Sequence, residues 1–118
     1  MNKIATAEFS LQASNYCDVG MPVDVRQWEG ILVRAVAHEN NGSTGDLQWQ
    51  VFTSAAIDDT RGWTAVGVAR DLPATDAVDT YSITSGLYNF IKIVVSGTDT
   101  SANSATVTFD WSGKHRSM

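Results

Sequence analysis

The sequence predicts an all-β protein: a single antiparallel β-sandwich or jelly roll of about seven to eight strands, occupying residues 1–118 as one domain. Three observations carry this. No stretch longer than a few residues sets apolar side chains at helical spacing. Short runs of Thr, Ser, Val and aromatic residues alternate instead with period two, as strands do. Clusters of Gly, Asn and Asp, which tolerate the backbone of tight turns, separate these runs. At 118 residues the chain can bury a core of its own, and its one cysteine, Cys17, cannot close an internal disulfide. Packing must therefore hold the fold, with Cys17 read as a buried small hydrophobe.

The elements follow in order. ATAEFSLQA sets Ala5, Ala7, Phe9, Leu11 and Ala13 on one face and Thr6, Glu8, Ser10 and Gln12 on the other. Ser14 to Glu29, with Gly20 and Pro22, reads as a long connection between sheets or along an edge. GILVRAVAH, DLQWQVFTS, GWTAVGVAR and VDTYSITS are strands. In the second of these Leu47, Trp49 and Val51 face inward, which puts Phe52 outside beside Gln48 and Gln50. NNGSTGD, Thr60 to Gly62, and GTDTSANS supply turns, and Pro73 marks ARDLPATDA as a loop. SATVTFDWS closes the fold with Ala105, Val107, Phe109 and Trp111 inward.

LYNFIKIVV breaks the simple pattern. One face carries Leu87, Asn89, Ile91, Ile93 and Val95, the other Tyr88, Phe90, Lys92, Val94 and Ser96. A sandwich core takes only one face of each strand. With Ile91, Ile93 and Val95 inward, Phe52, Tyr88, Phe90 and Val94 form a candidate oligomer or shell interface; the opposite parity, with Tyr88 and Phe90 inside, exposes Ile91, Ile93 and Val95 instead, and either leaves a second face to be covered. The alternative covers are a ligand or a fold-over of the N-terminal segment or the Ser14 to Glu29 connection.

Several function classes are disfavoured. The net charge of −5 is spread thinly, unlike the clustered Lys and Arg of nucleic-acid binders. No apolar run suits a signal-peptide core or a membrane helix. The carboxylates Asp58, Asp59, Asp71, Asp76, Asp79 and Asp99 do not follow a calcium-loop pattern, and Cys17, His38 and His115 form no closely spaced zinc pair. Neither a nucleophile elbow, a P-loop nor a dinucleotide fingerprint is present. The chain therefore reads as non-enzymatic, with no cofactor, metal, nucleic-acid or membrane partner. Of the four tryptophans, Trp49 and Trp111 fall on core faces, Trp63 opens a strand, and Trp28, in RQWEG, is the candidate exposed platform for a glycan.

GDLQWQVFTS, GWTAV, SGLYNFIKIVVSG and SATVTF together resemble the β-sandwich modules of tailed-phage virion proteins, found in decoration, head-fibre and tail-associated subunits. The matching positions are Leu47, Trp49, Val51, Ser54, Trp63, Val66, Gly86, Leu87 or Tyr88, Phe90, Ile91, Lys92, Ala105, Val107 and Phe109, within Gly45 to Phe109. The resemblance implies a bacteriophage structural protein, a capsid decoration or minor head subunit, made in the bacterial host cytoplasm and resident in the virion. Such a protein is expected to be a homo-oligomer in contact with other virion proteins. Candidate shell contacts are Met1 to Ile4, with Lys3, and the basic run Lys114, His115 and Arg116. The alternative function is a carbohydrate-binding or adhesion module.

Overall fold

A computed structural model describes residues 2–11, 16–43, 45–58, 61–97 and 103–115, apart from the side chains of Phe9 and His115. Eight strands occupy these residues: β1 (Asn2–Leu11), β2 (Tyr16–Asp24), β3 (Trp28–Asn40), β4 (Leu47–Ser54), β5 (Thr64–Asp71), β6 (Val78–Ile83), β7 (Phe90–Gly97) and β8 (Asn103–His115). They form two four-stranded sheets, ordered β1-β8-β3-β6 and β2-β7-β4-β5. Every paired neighbour is antiparallel. The last strand lies between the first and third, and the seventh between the second and fourth. This is the double Greek-key winding of a jelly roll, so the strand order selects between the two architectures left open by the sequence.

The inner faces follow the predicted alternation. Val33, Ala35, Ile91, Ile93, Val95, Val107 and Phe109 are all 0% exposed. Trp49 and Phe109 meet across the sheets with ring centroids 5.7 Å apart, a tilted aromatic contact at the centre of the core.

One strand differs from the sequence reading. Tyr16–Asp24, expected within a connection, is β2, the outer strand of the second sheet, paired to β7. Its alternation is broken by a bulge between Val19 and Val23, where Gly20 adopts φ +68° and comes close to Ile4 and Ala5 of β1. A Cβ at residue 20 would lie 3.0 Å from that of Ala5, so glycine serves both the backbone and the close approach. Pro22 is tolerated because β2 is an edge. Cys17, expected buried, is half-buried against the core from this edge.

At the opposite margin, β5 and β6 face each other across the sandwich through side chains. Arg70 grips Asp79 with two hydrogen bonds of 2.9 Å, and Trp49 Nε1 donates to the same carboxylate at 3.1 Å. The Arg70 guanidinium lies 4.9 Å from the Tyr81 ring centroid, and the Tyr81 phenol fills the space above Gly67, whose φ is +72°. The hydrogen bonds from Arg70 hold the Asp79 carboxyl below its usual range against the opposing effect of burial.

Candidate functional site

The outer face of the β2-β7-β4-β5 sheet is built in cross-strand rows. Asp24, Phe90 and Ser54 form one row, and Lys92, Phe52 and Ala65 the next. Asp18, Val94 and Gln50 form a third, and Tyr16, Ser96, Gln48 and Asp71 a fourth. The apolar members Phe52, Phe90 and Val94 are each half-buried. Charged side chains stand over two aromatic rings of this region. Arg26, in the β2–β3 turn, lies 5.5 Å from the Phe90 centroid, while Lys92 Nζ lies 4.9 Å from that of Trp63, which precedes β5. Such cation-aromatic contacts strengthen when water is excluded. Lys92 also stands 3.6 Å from Asp18, and Asp24 accepts hydrogen bonds from Arg26 that hold its carboxyl below the usual range. The face thus carries aromatic and aliphatic surface with balanced charges at its margin.

The outer face of the β1-β8-β3-β6 sheet is different in kind. Thr6, Thr108 and His38 are joined by contacts of 2.9 and 2.7 Å across three strands. Beside them Arg34 binds Asp110 through both carboxylate oxygens, at 3.0 and 2.7 Å, which leaves Asp110 only 7% exposed. Leu32 and Val78 are exposed hydrophobes on this sheet, 38% and 52% exposed, and Val78 stands in register with the half-buried Val36.

Among the interface residues expected from sequence, Phe52, Phe90 and Val94 share the outer face of the second sheet. Tyr88 does not. Strand β7 begins at Phe90, and Tyr88, 60% exposed, projects from the β6–β7 loop at the end of the sandwich. Its backbone N–H donates to Thr53 Oγ1, which in turn donates to the Phe90 carbonyl, so a buried threonine fixes the loop. Alternation alone made Tyr88 a strand residue, whereas Gly86, at φ +82°, marks the turn that ends it.

Trp28 also differs from expectation. It opens β3 instead of standing on an exposed connection. Its half-buried ring lies against Gly113, where a Cβ would collide with it, and meets Trp111 edge-on at 5.9 Å. It closes the core at that end. Lys3 and Lys114 are exposed at this same end of the first sheet, and His115 pairs with Trp28 by register. Arg116, Met1, Asp59 and Asp99 lie outside the described residues.

Among the described residues no three His, Cys, Asp or Glu side chains converge as around a metal ion. Among the described residues no helix is long and apolar enough to cross a membrane. A hollow of about 250 Å3 lies between the β2–β3 turn and the β6–β7 loop, and a groove of about 480 Å3 runs along the β5–β6 margin. No family model matches the chain, and no curated protein is significantly similar to it.

Proposed function

We propose that the chain is a structural subunit of a tailed-phage virion, a capsid decoration or minor head protein, that assembles with copies of itself through the outer face of its second sheet. The observation that carries this reading is the group of half-buried Phe90, Phe52 and Val94 in three successive cross-strand rows of an outer face, while the inner face of the same sheet packs in the core. The marginal charges, Asp18 and Asp24 with Lys92 and Arg26, are of both signs. Each is paired within the chain, Arg26 with Asp24 and Lys92 with Asp18, so a second copy can cover the face without burying an unpaired charge. Jelly rolls recur in capsid and lectin domains, and the resemblance in Gly45 to Phe109 points to the former.

The mechanism is additive burial. A subunit that seals a seam between shell proteins removes further surface from water, and stable contacts of this kind bury roughly 1,200–2,000 Å2 in total. Because the bound protein favours only the assembled, folded shell, occupancy shifts the unfolding equilibrium by mass action. The test is to mix the purified protein with tailed-phage heads stripped of decoration subunits and sediment them through sucrose. Co-sedimentation at fixed stoichiometry, with a higher temperature of DNA release, is the expected result. Protein that stays at the top of the gradient and heads of unchanged stability contradict the reading.

A further inference from the structure

We infer that the Asn41–Gly42 peptide is a gated modification site, at which the folded chain holds off an intramolecular deamidation that proceeds when the β3–β4 loop opens. Asn41 is the only asparagine in the chain followed by glycine. In the reaction the Gly42 backbone nitrogen gives up its proton to solvent and bonds to the Asn41 side-chain carbonyl carbon. The bond from that carbon to the amide nitrogen breaks, and ammonia leaves after taking a proton from water. Water then opens the resulting succinimide at either carbonyl, giving aspartate or isoaspartate, and nothing else is consumed. Glycine favours this closure, because it has no Cβ to crowd the ring and its backbone turns most freely.

Two hydrogen bonds oppose the closure. Asn41 continues the β3–β8 ladder one step beyond its last register pair, Asn40 with Ala105: its N–H donates to the Ser104 carbonyl at 3.0 Å, and Ser104 N–H donates back to Asn41 Oδ1 at 2.7 Å. Turning the side chain toward the Gly42 nitrogen breaks the second contact and strands the Ser104 N–H. On the other side Gly42 N–H donates to Asn40 Oδ1 at 2.9 Å, so the attacking nitrogen is engaged and its proton held. Asn40 is itself half-buried and fixed, its Nδ2 donating to the Pro73 carbonyl at 2.9 Å and its N–H to Thr75 Oγ1 at 3.0 Å. The loop is close-packed here, since a Cβ on Gly42 would lie 3.2 Å from that of Asp46.

Electrophile and nucleophile are thus tied to different neighbours, and both ties must break before they meet. Asn41 is exposed, so water reaches its amide and the hydrogen bonds supply the gate. When opening and closing are fast beside the chemistry, the reaction reads the fraction of time that the loop is open. The product adds a carboxylate to a loop that already carries Asp46, and isoaspartate lengthens the main chain by a methylene, which dislodges the pairing with Ser104. This inference stands apart from the assembly reading, since the loop lies at the end of the sandwich and not on the sheet face.

The experiment is peptide mass spectrometry on protein incubated in mildly alkaline buffer, with and without denaturing urea, read beside hydrogen exchange at the Gly42 and Ser104 amides. Deamidation at Asn41 in the folded parent is expected about tenfold or more slower than in the unfolded chain, the factor that two ordinary hydrogen bonds supply. Exchange at Gly42 N–H is expected to be slowed by the same factor within about threefold, because both report the same opening. Asn40→Ala releases Gly42 N–H and is expected to speed deamidation about fivefold. Thr108→Val, on the sheet face, is expected to deamidate as the parent does. The comparison of folded and unfolded parent stands whether or not Asn40→Ala folds. A folded parent that reacts as fast as the unfolded chain, protection of the Gly42 amide without slowed deamidation, or a folded Asn40→Ala no faster than the parent overturns the inference.

Discussion

The two outer faces of the sandwich solve the same problem in opposite ways. The β1-β8-β3-β6 face consumes its polarity internally, through the Thr6, Thr108 and His38 chain and the forked Arg34–Asp110 pair. The β2-β7-β4-β5 face keeps Phe52, Phe90 and Val94 half-buried, with Arg26 over the Phe90 ring and Lys92 over that of Trp63. Hydrogen bonds satisfied within a face gain little from a partner, whereas half-covered apolar area gains from each square ångström removed from water. On the proposed reading the first face meets solvent and the second meets another copy.

The largest expected effect is common to both faces and tests the core that joins them. Phe109→Ala removes a fully buried ring packed on Trp49 and is expected to cost about 3–5 kcal/mol in chemical denaturation. A cost under about 1 kcal/mol breaks the picture of two faces on one shared core.

Next comes the β5–β6 margin, which fixes one face relative to the other. Asp79→Asn weakens the Arg70 grip and is expected to cost about 1–2 kcal/mol at neutral pH, a figure reduced because both partners are partly exposed. The sign with pH follows from the depressed carboxyl. Asp79 binds its proton less readily folded than unfolded, so its contribution is complete above the unfolded carboxylate value of about 4 and is lost as pH falls through the lower folded value. Melting curves of parent and variant are therefore expected to converge in acid. A gap that stays constant to the lowest pH at which the protein folds removes Asp79 from that role.

A smaller effect sharpens the contrast itself. Thr108→Val deletes the hydroxyl between Thr6 and His38 and is expected to cost about 1 kcal/mol with no change in solution mass.

How much of this was legible in the sequence follows from where each signal sits. Alternation marked Phe90 to Val95 as a strand, but apolar residues on both of its faces left the parity open, and it is the structure that sets Ile91, Ile93 and Val95 inward and Phe90 and Val94 outward. Strand β2 was not, because the bulge at Gly20 and the edge-tolerated Pro22 erase the period that identifies a strand. The place of Trp28 depends on Gly113, 85 residues later, whose missing side chain makes the seat for the ring. Local pattern carries no trace of such a pairing. The Arg70–Asp79 pair likewise depends on two strands in different sheets arching toward each other, which spacing alone does not encode.

The most direct measurement of the central claim is solution mass by light scattering across a range of concentrations, on the parent protein, Val94→Lys and Thr80→Lys. Val94 and Thr80 are strand residues on the outer faces of opposite sheets, and both substitutions are expected to leave the fold within about 0.5 kcal/mol of the parent. The account predicts a parent mass at a multiple of 12.7 kDa, the same multiple for Thr80→Lys, and a folded monomer for Val94→Lys. A monomeric parent at every concentration, or a Val94→Lys protein that keeps the parent mass, contradicts the assignment of assembly to the second sheet.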